Sequence, residues 1–375
     1  MKKTIFLMCT AVLLSMPSLG HSKTVAYMLA EDEIIKLDAE TDTVLKRIKS
    51  PSEVQGYIGE SKRGGCVVDI TTKHLITLTD TGYGDRPGFY VYDLSSLTEL
   101  KFVAFPSTIQ QATIMKLIYP QAGTRFYIAV KDRQLNNGKG GVVHLAYDRK
   151  NYNYLGVVDN ILIDLNEKYW FSEDQNKIFV ATKEQGIRVY DSQTLALLNN
   201  IDLSNLYSSN LWSKAVDDIK NGIVLLEEYT QVQSTDKYIL TFFTYSITGA
   251  TTTPKVNTGM DDKETLLTPD ASKLVLNEAK TSTASGLKAP KKGDNVSGQI
   301  HIYDVKTGKK LGLVTLPTDS GEKILGIKPT NDKLYYLMNS RDENKIRLFV
   351  VDLIRFRITK DIYVPNLYFM VFFDE

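Results

Sequence analysis

Phe89-Tyr90-Val91-Tyr92-Asp93 decides how this chain is read, because variants of it return until seven have passed. The others are Ile34-Ile35-Lys36-Leu37-Asp38, Val143-His144-Leu145-Ala146-Tyr147-Asp148, Ile187-Arg188-Val189-Tyr190-Asp191, Phe243-Thr244-Tyr245-Ser246, Ile300-His301-Ile302-Tyr303-Asp304 and Leu348-Phe349-Val350-Val351-Asp352. Each is a short run of strand-favouring residues that meets an aspartate, or once a serine, and then a turn. The markers at 38, 93, 148, 191, 246, 304 and 352 stand 55, 55, 43, 55, 58 and 48 residues apart. That is roughly the period of one four-stranded propeller blade, so the expected fold is all-β: a seven-bladed β-propeller filling the chain.

Working outward, residues 172 to 203 show a whole unit. Ser172-Glu173-Asp174-Gln175-Asn176 turns, Lys177 to Thr182 is a strand, Gly186 to Asp191 is the marker strand, and Leu197 to Leu203 follows. Comparable turn-then-strand stretches begin at Pro120, Pro269 and Pro329, each seeded by Pro with Asp, Asn or Gly. The 21 tyrosines concentrate in these runs, and helical periodicity is almost absent.

The ends break the pattern in a useful way. The first unit lacks an innermost strand: it starts with Thr24 to Ala30, which elsewhere would be a second strand. After the last complete unit an orphan apolar run remains, Leu367-Tyr368-Phe369-Met370-Val371-Phe372-Phe373. The expectation is a ring closed by three N-terminal strands and this one C-terminal strand, which hides edges that would otherwise pair between molecules.

Residues 1–22 read as a separate object. Lys2 and Lys3 precede an apolar run from Thr4 to Leu14, and small residues follow through Gly20 and Ser22. This is the pattern of a cleaved export signal, too short to span a bilayer, leaving 23–375 as one propeller domain in the bacterial periplasm or secreted. Cys9 leaves with the signal, and Cys66 is then alone and expected to be buried and inert. No later stretch is long and apolar enough to span a membrane. With 45 basic residues against 44 acidic, the chain lacks the basic footprint of a nucleic-acid binder.

The turn, the strand, the apolar-Tyr-Asp phrase and the Thr-containing turn after it resemble the bacterial YVTN-type seven-bladed propellers. Within that group the layout resembles the propeller subunits of amine dehydrogenases, namely the quinohemoprotein amine dehydrogenase β subunit and the methylamine dehydrogenase heavy chain. The resemblance covers nearly all of 23–375, and Ser246 in the fifth unit departs most. It implies a subunit without a cofactor or metal of its own, working beside quinone- or haem-bearing partner subunits. The chain agrees in having no CxxCH and no CxxC pair.

Long loops are expected on one rim, where recognition usually sits. The residues singled out there are Tyr83, Asp85 and Arg86 in the second unit, Arg133 and Lys139 in the third, Lys291 and Lys292 in the sixth, and Arg341 in the seventh. The first reading is an exported, non-catalytic propeller that presents this rim to a protein partner. Two others stand beside it: a lactonase-like hydrolase using His74, Asp85, Arg86 and Arg133 at a channel mouth, and a propeller that binds a ligand or surface without chemistry. His144 and His301 read as packed strand residues, and Trp170 and Trp212 as packing between units. Asp217-Asp218 and Asp261-Asp262 read mainly as turn-capping or solvated carboxylates, one member of either being able to line the channel and bind a cation.

Overall fold

The computed structural model describes residues 23–30, 33–49, 66–78, 87–109, 112–132, 141–158, 169–182, 186–208, 213–231, 238–258, 264–278, 298–317, 322–339, 346–364 and 367–374. They form seven antiparallel sheets, one for each marker phrase. The first holds β1 (Thr24–Ala30), β2 (Glu33–Asp38) and β3 (Thr43–Lys49). The second has β4 (Cys66–Asp69), β5 (His74–Leu78), β6 (Gly88–Asp93) and β7 (Glu99–Ala104), and the third β8 (Ala112–Ile118), β9 (Arg125–Asp132), β10 (Gly141–Asp148) and β11 (Tyr154–Val158). The fourth has β12 (Tyr169–Phe171), β13 (Lys177–Ala181), β14 (Gly186–Asp191) and β15 (Leu197–Asp202). The fifth has β16 (Ser213–Lys220), β17 (Ile223–Gln231), β18 (Tyr238–Ser246) and an outer strand in two pieces, β19 (Thr251–Thr252) and β20 (Val256–Asn257). The sixth has β21 (Glu264–Leu267), β22 (Lys273–Glu278), β23 (Gln299–Asp304) and β24 (Lys310–Thr315), and the seventh β25 (Glu322–Ile327), β26 (Lys333–Asn339), β27 (Ile346–Asp352) and β28 (Arg357–Val364).

The ring closes as the orphan run foretells. β29 (Leu367–Asp374) pairs antiparallel with β1, from Thr24 opposite Asp374 to Leu29 opposite Phe369, and becomes the inner strand of blade one. It touches β4 on one side and β25 on the other. The edge of β1 is thereby covered.

Blades hold together through their faces. The described apolar core separates into seven clusters, and each lies in one seam between consecutive blades. On β10, for example, Val143, Leu145 and Tyr147 pack toward blade two, while Ala146 packs toward blade four. The strand period of two thus sends alternate residues to opposite neighbours, and for that reason the marker phrase is apolar at nearly every position.

The marker aspartate builds the turn after the third strand. Asp38, Asp93, Asp148, Asp191 and Asp352 each accept hydrogen bonds at one carboxylate oxygen from the amides two and three residues on. Asp304 takes the Thr307 amide and hydroxyl, and Ser246 accepts from Gly249. Four residues after each marker the backbone turns left-handed: Asp42, Leu97, Tyr152, Leu195, Ala250, Gly308 and Phe356. A bulky side chain there costs about 1–3 kcal/mol. Leu97, Tyr152 and Leu195 are buried in the seams, and Phe356 packs on one, which at about 1.5–3 kcal/mol per buried side chain offsets the strain.

Seven residues after the marker comes a second repeated device. Leu45, Leu100, Leu155, Leu198, Leu311 and Thr359 are each skipped in the pairing of third and fourth strands, as a bulge. In the fifth blade Thr253 occupies that position, between the two pieces of the split outer strand. A bulge bends the outer strand and makes it a poor template for another chain.

Candidate functional site

Because every pairing is antiparallel, the turns between first and second strands and between third and fourth strands share one face of the ring. The remaining connections leave from the opposite strand ends. Those that join second to third strands include 79–87, 133–140, 279–298 and 340–345. Tyr83, Asp85, Arg86, Arg133, Lys139, Lys291, Lys292 and Arg341 fall in them and lie outside the described residues, as do Trp212 and Asp261-Asp262.

His74 is described, and it stands apart from that group. It opens β5 at the turn-face end, opposite Asp93, whereas 79–86 follows Leu78 at the other end. Four strand steps separate the ends, about 13 Å. Its Nδ1 lies 2.5 Å from the Tyr152 hydroxyl across the seam to blade three. His74 is therefore placed to brace a turn, away from the attachment points of the loops that carry Asp85, Arg86 and Arg133.

Beside it lies the densest polar cluster among the described residues. Asp69, at the end of β4, has no exposure to solvent. Arg149, one residue past the blade-three marker, reaches it with two hydrogen bonds, Nε to Oδ2 at 3.0 Å and Nη2 to Oδ1 at 2.9 Å. The Tyr119 hydroxyl donates to Oδ2 at 2.5 Å, and the Thr71 and Thr72 amides donate to Oδ1. Arg149 also donates to the carbonyls of Gln121 and Gly123 and to the Thr71 hydroxyl. Burial works to raise the Asp69 carboxyl, but the bonds from Arg149, Tyr119 and Thr72 bring it down to about 2. Burial together with the Asp69 carboxylate pushes the Tyr119 phenol far above its usual value. Every oxygen of Asp69 is thus already occupied. The cluster fastens blade two to blade three and leaves no free base.

Blade five holds the next buried charges. Glu227 accepts from the Thr265 hydroxyl of blade six and from Tyr229, each at 2.6 Å, while Glu228 accepts from the Ser208 amide and from Lys255. Asp218, expected as a turn-capping or cation-binding carboxylate, is buried and takes the amides of Ile219 and Leu267, joining blades five and six. Tyr27, Tyr127 and Tyr335 occupy equivalent second-strand positions and donate to the turn of the next blade, at Leu94, Gln193 and Asp42 respectively. These are staples of the wall.

The other expected residues lie within strands or seams. His144 is fully buried with neither ring nitrogen bonded among the described residues, and burial lowers its pKa to about 4. His301 is buried on β23, and Trp170 packs on the seam between blades four and five. Cys66, expected buried and inert, is partly buried, and burial pushes its thiol up to about 12. Among the described residues no group of three His, Cys, Asp or Glu side chains could hold a metal ion.

Arg149 and Glu227-Glu228 had a signal in the sequence that the marker phrase masks. The residues after the other markers are Ala39, Leu94, Ser192, Ile247, Val305 and Leu353, so an arginine in that column is out of character. Two adjacent glutamates directly after the apolar run Ile223 to Leu226 are equally so. Charges in such positions announce buried partners.

No family model matches the chain, and no curated protein does. Solved structures do. The chain is similar to the dihydro-heme d1 dehydrogenase NirN in complex with DHE, with TM-score 0.56 and 11% identity over 94% of this chain and 75% of that one. It also matches BamB from Moraxella catarrhalis, at TM-score 0.45 and 10% identity over 90% and 87%, and a chain of the mitotic checkpoint complex, at 0.46 and 13% over 84% and 81%. At such identities the likeness is one of fold, and it agrees with what the strands themselves show: this chain is a seven-bladed β-propeller.

Proposed function

We propose that this chain is an exported propeller with no chemistry of its own, which holds a protein partner against the face where second-to-third-strand connections leave. The observation that carries this reading is the unequal use of the two ends of the strands. At the turn end, marker carboxylates, seam tyrosines and the Asp69–Arg149 pair are all committed to holding blades together. At the other end the chain spends 79–87, 133–140 and 279–298 on connections that a compact ring does not require. The resemblance to amine dehydrogenase propellers gives the partner a chemistry, a subunit that bears a quinone or haem beside the loops of Tyr83, Arg133, Lys291 and Arg341. The leader-like pattern of residues 1–22 supports an encounter in the periplasm or outside the cell.

Affinity purification of the tagged full-length chain from cells that export it tests the reading. The expected result is a mature chain starting near residue 23, with a stoichiometric protein partner whose absorbance shows haem or quinone. A lone monomer from those cells would contradict it.

A further inference from the structure

Seven equivalent turns follow the seven markers and do the same structural job, so each serves as a control for the others. Within six positions of the marker, blade one carries acids, at Glu40 and Asp42, blade two carries Glu99, and blades four and five carry no charge. Blade three has Arg149, which is buried, and Lys150. Blades six and seven differ. Lys306, Lys309 and Lys310 crowd the turn after Asp304, and Arg355 and Arg357 the turn after Asp352. All five are exposed. The turn itself needs none of them, since its bonds come from backbone amides and Thr307.

The two turns are packed together. The Phe356 ring lies so close over Gly312 that a Cβ there would stand 2.3 Å from it. Phe356 belongs to the blade-seven turn and Gly312 to β24, so Arg355 and Arg357 flank the strand that begins at Lys310. Carboxylates border the patch: Asp304 and Asp352 within the two turns, and Asp332 beside them, its carbonyl accepting from the Leu353 amide. Asp304 is held by Thr307, and Asp352 accepts two backbone amides and an ion pair from Arg355 at 3.4 Å. Lys310 and Arg357 have no side-chain partner among the described residues. At the apex of the blade-seven turn, next to Arg355, stands Ile354, which at 65% has the greatest exposure of the large apolar residues described.

From this we infer that the paired turns of blades six and seven dock the protein on an anionic phospholipid surface. An aliphatic apex ringed by cations suits a fluid plane of phosphates over hydrocarbon, where Ile354 enters the boundary and the lysines and arginines stay among the head groups. The patch spreads five exposed cations over two neighbouring turns around one exposed aliphatic side chain, which matches a plane of many phosphates better than a single acidic side chain. The site lies on the face opposite the proposed partner rim, so the protein can hold a membrane and a partner together.

Flotation of the full-length mature chain with vesicles tests the inference. Phosphatidylcholine vesicles alone and vesicles with about one-third phosphatidylglycerol are compared at low and at physiological salt. The wild type is expected to float with the anionic vesicles only, and less at higher salt. Lys309→Gln/Lys310→Gln/Arg357→Gln should weaken binding by at least about tenfold and Ile354→Ser by about threefold, with unchanged melting temperatures because these side chains are exposed. Equal binding by wild type and triple variant would overturn the assignment, as would a wild type that stays in solution. Preference for soluble polyglutamate over the vesicles would overturn the lipid as the occupant.

Discussion

The two faces of the ring are built from the same strands and obey different rules. On the turn face each connection between third and fourth strands is short and repeated in detail: a carboxylate or hydroxyl that accepts amides, a left-handed residue four positions on, and a bulge at the seventh. On the other face the connections share neither length nor composition, from 31–32 to 279–298. Repetition marks where geometry constrains the chain, and irregularity marks where it is free to serve a partner. Buried charge sharpens the contrast, for Asp69, Arg149, Asp218 and Glu227 all lie in the wall with partners in the next blade or its turn.

The hardest blow to the wall is to open it. Removing residues from 365 onward strips β29 from β1 and leaves an uncovered apolar inner edge. The truncated chain is expected to aggregate or lack a cooperative melt, as judged by light scattering and circular dichroism. A monomer with a sharp transition would mean the ring does not depend on its closing strand.

Replacing Arg149 by Met comes next, because Asp69 is then buried without its cation; the expected cost is about 3–5 kcal/mol at neutral pH in urea denaturation. The sign with pH is distinctive. The wild-type Asp69 carboxyl sits near 2, below its unfolded value, so its contribution is complete above pH ~4 and is lost as pH falls through the folded pKa. In the variant the carboxyl rises and can be protonated, so the gap between the two proteins should narrow as the pH drops from 7 to 4. A gap that stayed constant would show that Arg149 acts by packing alone.

His144 gives a smaller effect of its own shape. Its folded pKa near 4 lies below the unfolded value of about 6.5, so the unfolded chain takes up the proton first and stability falls from pH ~6.5 toward 4. His144→Phe should flatten that slope by about 1–3 kcal/mol while leaving the fold unchanged. An identical slope in the variant would place the titration elsewhere.

How far the sequence could be read follows the same division. The count of blades, their strand order and the closure by Leu367 to Phe373 were all legible, because strand period and turn chemistry are local. The left-handed Leu97, Tyr152, Leu195 and Phe356 were not, since turn rules look for Gly or Asn and here burial in a seam outweighs backbone strain. Arg149 was hidden for a related reason: its partner Asp69 is 80 residues away, and only the ring brings blade two against blade three. His74 looked available for chemistry until its end of β5 was known.

The comparison of faces is tested most directly by exchanging loops. A chain in which 133–140 and 279–297 are replaced by short Gly-Ser connections is prepared beside the intact one, and both are melted and then used to capture partners from the exporting cells. Equal melting temperatures within about 2 °C, with loss of a stoichiometric partner from the loop-exchanged chain, are predicted. A partner retained in full by that chain would contradict the account and move recognition onto the turns.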